Sequence, residues 1–357
     1  MRALVENFRD FLKSTCLPNA RVAVIHHTDT DGICSGVLAA KIVERFRKKP
    51  VEFATGIDWH TIPDSVIALL KKKRISRVII TDLSADESPK QLAKLAKFAR
   101  ILLIDHHTLH IRGMKNLTII KPQLFSSVQS SAYCASKLCY DFGREVVYLS
   151  DLSWIASMGI IGDAGYSTWR EFVNHSLQKL GFNPRKDIWR SELGKAASSI
   201  SAAMSYNKKN IKLCGRVVSQ AESPIQISAK LEQFANKIRR TIAFNLYKLG
   251  KIKPVGEIIF YNVVSKYDVK GSVATMASFK KPHKTLILYR QTGNMIDISA
   301  RRQDRKVAVN TLLENVTKGL KNATAGGHIP AAGASIRAKD WEKFRQRIIE
   351  YAQKAVN

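Results

Sequence analysis

The chain has 357 residues, a length that allows two domains. Its 58 Lys and Arg stand against 29 Asp and Glu, a net charge of +29; thermal adaptation enriches both signs together, so the imbalance calls for an acidic partner. Five cysteines (Cys16, Cys34, Cys134, Cys139 and Cys214) have neither Cys-x-x-Cys nor zinc-finger spacing, which argues against a disulfide scaffold or zinc finger and sets the expectation of a reduced cytoplasm.

At the N-terminus Leu4, Val5, Phe8, Phe11 and Leu12 form the apolar face of an amphipathic helix, unlike a signal peptide. Val22 to Ile25 reads as a short buried strand that stops abruptly in His26-His27-Thr28-Asp29-Thr30-Asp31-Gly32. Residues i and i+2 of an extended chain point the same way, so Asp29 and Asp31 can face one site. A helix-like stretch follows over 33–46, where Ile33, Val37, Leu38, Val43 and Phe46 recur at helical spacing. A second strand, Arg77 to Ile80, runs into a lone Asp82; a helical pattern covers 89–99; a third strand, Ile101 to Ile104, runs into Asp105-His106-His107. This alternation predicts an α/β domain with a doubly wound, mainly parallel sheet, whose strand ends would bring distant acids to one edge.

Ser130 or Ser131 reads as the N-cap of a helix over 133–140. The apolar segment 146–162 is interrupted by Asp151 and is too short to cross a bilayer; it closes on Gly162-Asp163-Ala164-Gly165, a fourth acid at the end of an apolar run. Residues 190–250 read as mostly helical, followed by strand-like runs at 256–264, 284–289 and 295–299 and helices at 307–320 and 341–355. The expected organisation is a metal-bearing domain over 1–195, a helical connector over 196–253 and a smaller α/β domain over 254–357.

A single Asp after a strand is ordinarily a helix cap or turn former. Four acids at the ends of apolar runs, joined by histidines, instead suggest a cation site, and carboxylate with imidazole suits manganese, magnesium or zinc. So many oxygens favour two hard cations about 3.5–4 Å apart, the arrangement used in phosphoryl chemistry.

In order, 27–32, Asp82, 105–107 and Asp163 resemble the four metal-binding motifs of the DHH phosphoesterase superfamily. Downstream, Gly326-Gly327-His328 with Ala331-Ala332-Gly333 resembles the signature of the DHH-associated substrate domain, and Ser299-Ala300-Arg301 its Ser-x-Arg element. The resemblance implies that Asp29, Asp82 and a histidine, His26 or His27, hold one manganese ion, and that Asp31, Asp82, His106 and Asp163 hold a second, with magnesium as the alternative metal. It implies a catalytic part for His107 and Asp105, with His107 near the scissile phosphate as proton donor or phosphate contact, and a substrate clamp of Ser299, Arg301, Gly326, Gly327 and His328. Lys121-Pro122 departs from the family's Asn-Pro element.

The charge surplus suits a polymer whose phosphates are contacted along a groove. Basic stretches at 45–49, 71–74, 206–209, 237–240, 248–253 and 279–281 point to nucleic acid, with Tyr206, Phe279 and Tyr289 as candidate stacking rings. The expected activity is that of a compact RecJ-like exonuclease on single-stranded DNA or RNA, not bound to a membrane, with replication or repair proteins as further partners. The alternatives are a nano-RNase acting on short oligomers, against which the charge counts, and a catalytically silent Cdc45-like scaffold, against which the intact ligand set counts.

Overall fold

The computed structural model describes residues 1–58, 61–111 and 113–354. They form two compact units that divide between Ala235 and Asn236.

In chain order the first unit contains α1 (Arg2–Thr15), β1 (Val22–His27), α2 (Thr30–Arg47), β2 (Phe53–Ile57), α3 (Asp64–Lys72), β3 (Arg77–Thr81), α4 (Pro89–Ala96), β4 (Arg100–Ile104), β5 (Leu117–Ile120), α5 (Ala135–Arg144), α6 (Ser153–Gly162), α7 (Arg170–Lys179), α8 (Glu192–Tyr206) and α9 (Ile211–Gln220), and α10 (Pro224–Gly250) begins in it. The sheet is wholly parallel, in the order β2-β1-β3-β4-β5. The three central strands are apolar apart from polar residues at their ends because both of their faces are covered. Successive side chains divide between two cores. Val22, Val24, Ile79, Leu102 and Ile104 pack with α1, α2, α5, α6 and α8. Ala23, Ile25, Val78, Ile80, Ile101 and Leu103 pack with α3 and α4. The expected doubly wound sheet is therefore present. β2 and α3 were not singled out from the sequence, since Phe53–Ile57 includes a threonine and a glycine and is only partly buried.

The apolar run before Asp163 is a helix, α6, buried on nearly every side, and Asp163 is its C-cap. One local expectation differs. Ser130 and Ser131 do not cap the following helix: they lie in a short 3-10 turn, and α5 starts five residues after Ser130 with no cap from its own N-cap side chain. Its first amides are taken by Asp31 instead.

The second unit contains β6 (Ile258–Asn262), α11 (Lys270–Lys280), β7 (Thr285–Thr292), β8 (Met295–Arg301), α12 (Val309–Thr317), β9 (Thr324–His328), β10 (Ala331–Arg337) and α13 (Trp341–Lys354). Its sheet, β6-β7-β8-β10-β9, is antiparallel apart from the β6–β7 pair. Ile287, Ile296, Ile298 and Ile336 pack against Leu312 and Leu313 of α12 and Phe344 and Ile348 of α13. The stretch expected as a connector is helical, and the two units divide within α10. α8 belongs to the first unit because Leu193, Ala196, Ala197 and Ile200 are buried in its core. Among the described residues no helix is long and apolar enough to cross a membrane.

Candidate metal centre

In an open parallel sheet of order 2-1-3-4-5, ligands bind outside the carboxyl ends of the strands, where the winding reverses between β1 and β3. The register pairs His26 with Thr81 and Thr81 with Ile104, so the three strands end level. The residues that follow them, 27–31, Asp82 and 105–107, therefore emerge side by side. Asp82 leaves β3 in the left-handed region, φ +58°, a conformation that aspartate tolerates better than most residues.

Strand alternation separates the two histidines. The buried His26 ring has Nδ1 2.7 Å from the His27 carbonyl and packs beside Gly36, away from the acids. His27 Nδ1 lies 2.9 Å from Asp29 Oδ2 and 3.8 Å from Asp82 Oδ2. Of the alternatives left open by the sequence, only His27 reaches the carboxylates.

Three groups of side chains bring potential ligand atoms within 4.8 Å of one another: His27, Asp29 and Asp82; Asp31, His106 and Asp163; and Asp82, His106 and His107. Asp82 belongs to two of them, with Oδ1 3.4 Å from His106 Nε2. His106 Nδ1 is 3.2 Å from the Ser130 carbonyl. In a neutral ring that donates there, the Nε2 lone pair stays free on the side of Asp82. Asp31 is held from across the fold: its Oδ2 accepts the Ala135 amide at 2.7 Å and its Oδ1 the Ser136 amide at 3.0 Å, which caps α5. Gly159 of α6 leaves room for this, since a Cβ there would fall 2.5 Å from Asp31 Oδ1 and 2.0 Å from Ser136 Oγ.

The donor set calls for cations. Burial, reinforced by Asp29, Asp31, Asp105 and Asp163, pushes the Asp82 carboxyl well above its ordinary range. Burial also pushes Asp163 up to about 7; Asp31, Asp29 and Asp105 add to this and His106 opposes it. Asp163 Oδ2 is buried without a hydrogen-bond partner. Hard cations would relieve the repulsion and satisfy that oxygen, so the residues fit a two-cation site. One expected result follows. Loading with Mn2+ should displace protons from Asp82 and Asp163, so affinity should tighten as pH rises from 6 to 8, with proton release that falls by the share of Asp163 once that carboxyl has ionised. Isothermal titration in buffers of different ionisation heats measures this; proton uptake, or affinity independent of pH over that interval, would exclude the donor set.

Behind His107 lies a buried ionic group that the sequence did not suggest. His107 Nδ1 is 2.7 Å from Asp105 Oδ1, and Lys121 Nζ is 2.8 Å from Asp105 Oδ2. Lys121 also donates to Asp86 Oδ1 at 2.7 Å and to the Thr108 carbonyl at 2.8 Å, while Asp86 Oδ2 accepts the His110 amide at 2.8 Å. The side chains of Lys121, Asp86 and Asp105 are wholly inaccessible to solvent, whereas that of His107 is 42% exposed. Burial pushes the Asp105 carboxyl up, but the His107 hydrogen bond and the Lys121 ammonium hold it well below the usual range. The departure from the Asn-Pro element thus places a cation where it ties down the loop carrying His107. The sequence signal was the lysine standing in place of the Asn of the family's Asn-Pro element; nothing marked Asp86.

In the second unit the strand register assembles the other motifs. Arg301, Ala331 and His328 lie in one row across β8, β10 and β9, and Ser299, Gly333 and Gly326 in another. The Arg301 guanidinium bonds to neutral oxygens, the carbonyls of Ala300 and Ala332 and Thr275 Oγ1, and pairs with no carboxylate among the described residues. Gly327 has φ +137°, and a Cβ there would fall 2.6 Å from the Ala331 carbonyl, so the backbone requires glycine. Gly326 and Gly327 are part of a strand because β10 folds back on them. Of the candidate stacking rings, Phe279 is exposed, Tyr289 packs on Trp341 and Tyr206 lies against Phe234.

Comparison with known proteins agrees with both halves. Residues 21–159 match the DHH family, N-terminal domain, and residues 259–354 match the DHHA1 domain. The chain belongs to the DHH phosphoesterase superfamily and has a RecJ-like fold. RecJ from Thermus thermophilus, solved with Mn2+, is similar over 98% of this chain and 55% of its own, with a TM-score of 0.74 and 14% identity. A DHH domain described as a member of the s1p family of ribosomal proteins is similar over 98% of this chain and 90% of its own, with a TM-score of 0.75 and 12% identity. An uncharacterized protein of Methanocaldococcus jannaschii is 31% identical over 150 residues, 41% of this chain and 33% of that protein. The chain thus spans about a third of this curated relative and about half of the RecJ chain.

Proposed function

We propose that this chain hydrolyses phosphodiester bonds of single-stranded nucleic acid, as a RecJ-like exonuclease using two divalent cations, manganese or magnesium. The observation that carries the reading is that Asp82 shares one ligand group with His27 and Asp29 and another with His106, which itself belongs with Asp31 and Asp163, so that one carboxylate could serve both cations. His27, Asp29 and Asp82 would hold one ion, and Asp31, Asp82, His106 and Asp163 the other. When bound, the pair supplies an activated water for in-line attack and positive charge for the phosphoryl oxygens.

The chain's own groups do the rest. Asp31, fixed by two amides, and Asp82, fixed by its left-handed backbone, keep their carboxylates in place ahead of metal binding. With Nδ1 bound to Asp105, the His107 ring can present Nε2 to substrate and give a proton to the oxygen that leaves phosphorus. In the second unit Arg301 offers an unneutralised fork to a substrate phosphate, and His328 extends the same row. The net charge of +29 supports a polymeric anion over a small phosphate ester.

The test is digestion of end-labelled single-stranded DNA and RNA of about 25 nucleotides, long enough to fill more than one site, and of a trinucleotide, with Mn2+ and in EDTA. Metal-dependent laddering of the long strand from one end is the expected result. Cleavage of the trinucleotide alone would replace the reading with that of a nano-RNase, and tight binding without cleavage with that of a scaffold.

A further inference from the structure

The C-terminal half of α10 and the loop after β6 form a face of the second unit that the hydrolytic chemistry does not use. Positions 236–254 carry six cations, Lys237, Arg239, Arg240, Lys248, Lys251 and Lys253, and no acid; the first acid after the β6 strand is Asp268. Arg240, Phe244 and Tyr247 are spaced four and three apart, so they lie along one stripe of the helix, and Lys251 follows just past its end. The helix is anchored through its other side, where Ile238, Asn245 and Leu249 are buried, and this leaves Phe244 50% and Tyr247 62% exposed. Each ring carries a cation: Lys248 Nζ is 5.7 Å from the Phe244 centroid and Lys251 Nζ 4.3 Å from that of Tyr247.

The face is rigid. The buried Asn245 side chain accepts the Tyr261 hydroxyl at 2.9 Å and the Val264 amide at 3.1 Å, and donates to the Val264 carbonyl at 3.2 Å. This clamp holds the loop against the helix and forms a shallow groove of about 360 Å³ between Arg240, Thr241 and Phe244 on one side and Val264, Lys266 and Tyr267 on the other.

The chemistry selects the occupant. Phe244, Tyr247 and the exposed Val264 are interspersed with Arg240, Lys248, Lys251 and Lys266, a mix too rich in cations for the core of a protein interface and lacking the broad apolar face that inserts into a lipid surface. Rings that offer a flat face, with ammonium and guanidinium groups one helical turn away, suit bases that stack while their phosphates are neutralised. We propose that this face is a non-catalytic anchoring surface for single-stranded nucleic acid, gripping the strand through Phe244 and Tyr247. The inference shares with the proposed function the nature of the polymer and is independent of its hydrolysis.

The experiment measures binding by the full chain in EDTA, where no cleavage occurs, from the fluorescence anisotropy of labelled oligothymidylate. Phe244→Ala with Tyr247→Ala should weaken binding of a strand of about 25 nucleotides by roughly 5- to 100-fold, the loss of one or two stacked bases. Phe244→Trp with Tyr247→Trp should bind at least as well as the native chain. Lys248→Gln with Lys251→Gln should lower the slope of log affinity against log salt by about 1.4, at about 0.7 for each phosphate contact on a single strand. All three variants should melt with the native chain, and any turnover of a trinucleotide with Mn2+ should be unchanged. Native affinity in the double alanine variant would overturn the proposal, as would a native chain that binds no single strand or one whose rings serve only anionic vesicles. Ring-dependent binding by a chain that cleaves nothing would support the anchoring surface while overturning the proposed hydrolysis.

Discussion

Asp82→Asn should abolish hydrolysis and stabilise the metal-free protein. Asparagine keeps the shape of the side chain and tolerates the left-handed backbone at φ +58°; alanine would add roughly 1–2 kcal/mol of backbone strain and confuse the result. The substitution removes the carboxylate shared by the two ligand groups, so turnover should fall by on the order of 10³-fold or more, and the rise in melting temperature produced by Mn2+ in the native chain should disappear. In EDTA the sign reverses. Asp82 has a raised folded-state pKa, so the folded chain holds a proton that the unfolded chain gives up near pH 4. Its contribution to stability is therefore lost as pH rises from that value toward the folded pKa. The asparagine variant has no such loss, so it should melt higher than the native chain by about 2–4 °C at pH 8, the shift given by roughly 1 kcal/mol in a domain of this size, and by less at pH 5. Calorimetry with and without Mn2+ reads both effects. A variant that melts lower than the native chain at pH 8 in EDTA, or that keeps the full response to Mn2+, would remove Asp82 from the centre of the site.

Lys121→Met should lower stability and activity together. Methionine fills a similar volume but leaves Asp86 and Asp105 buried without their shared cation. Breaking a buried pair by removing one partner costs about 3–5 kcal/mol, so the melting temperature should fall by roughly 10 °C. Asp86→Asn in the same chain should recover part of this, with a coupling above about 1 kcal/mol because the two side chains share one network. Activity should not recover in step. His107 is oriented through Asp105, and losing the group behind an oriented site residue costs about 10–100-fold. The loss should fall on kcat more than on KM if His107 acts on the leaving oxygen as proposed. A Lys121→Met chain that melts like the native one would mean that the ammonium does not neutralise the two acids, and a stabilised double variant with full activity would limit Lys121 to a structural part.

Much of the architecture is legible in the order of residues along the chain. β1, β3 and β4 are short runs of valine, isoleucine and leucine bounded by polar residues, and strands buried on both faces leave that mark on a sequence. α2 and α4 declare themselves by helical spacing. β2 carries little signal because it is short, partly exposed and includes Thr55 and Gly56, and α6 leaves its type open because a helix buried all round has no polar face to set its period. β9 is hidden because two glycines and a histidine carry turn chemistry, and only pairing with β10 makes them a strand.

The sequence by itself determined the chemical inventory: acids and histidines stationed where apolar runs stop, a cation surplus that suits an acidic partner, and motifs in the order of a DHH domain and its associated domain. The tertiary structure decided which of those groups meet. The pleat of β1 turns His27 toward the acids and His26 away. The first turn of α5, 104 residues from Asp31, takes that carboxylate as its cap, and Lys121 neutralises Asp86 from 35 residues away. Hydrogen bonds and ion pairs of this reach act through space, between backbone groups and side chains that carry no mark of their partner in the local sequence, so only the fold can specify them.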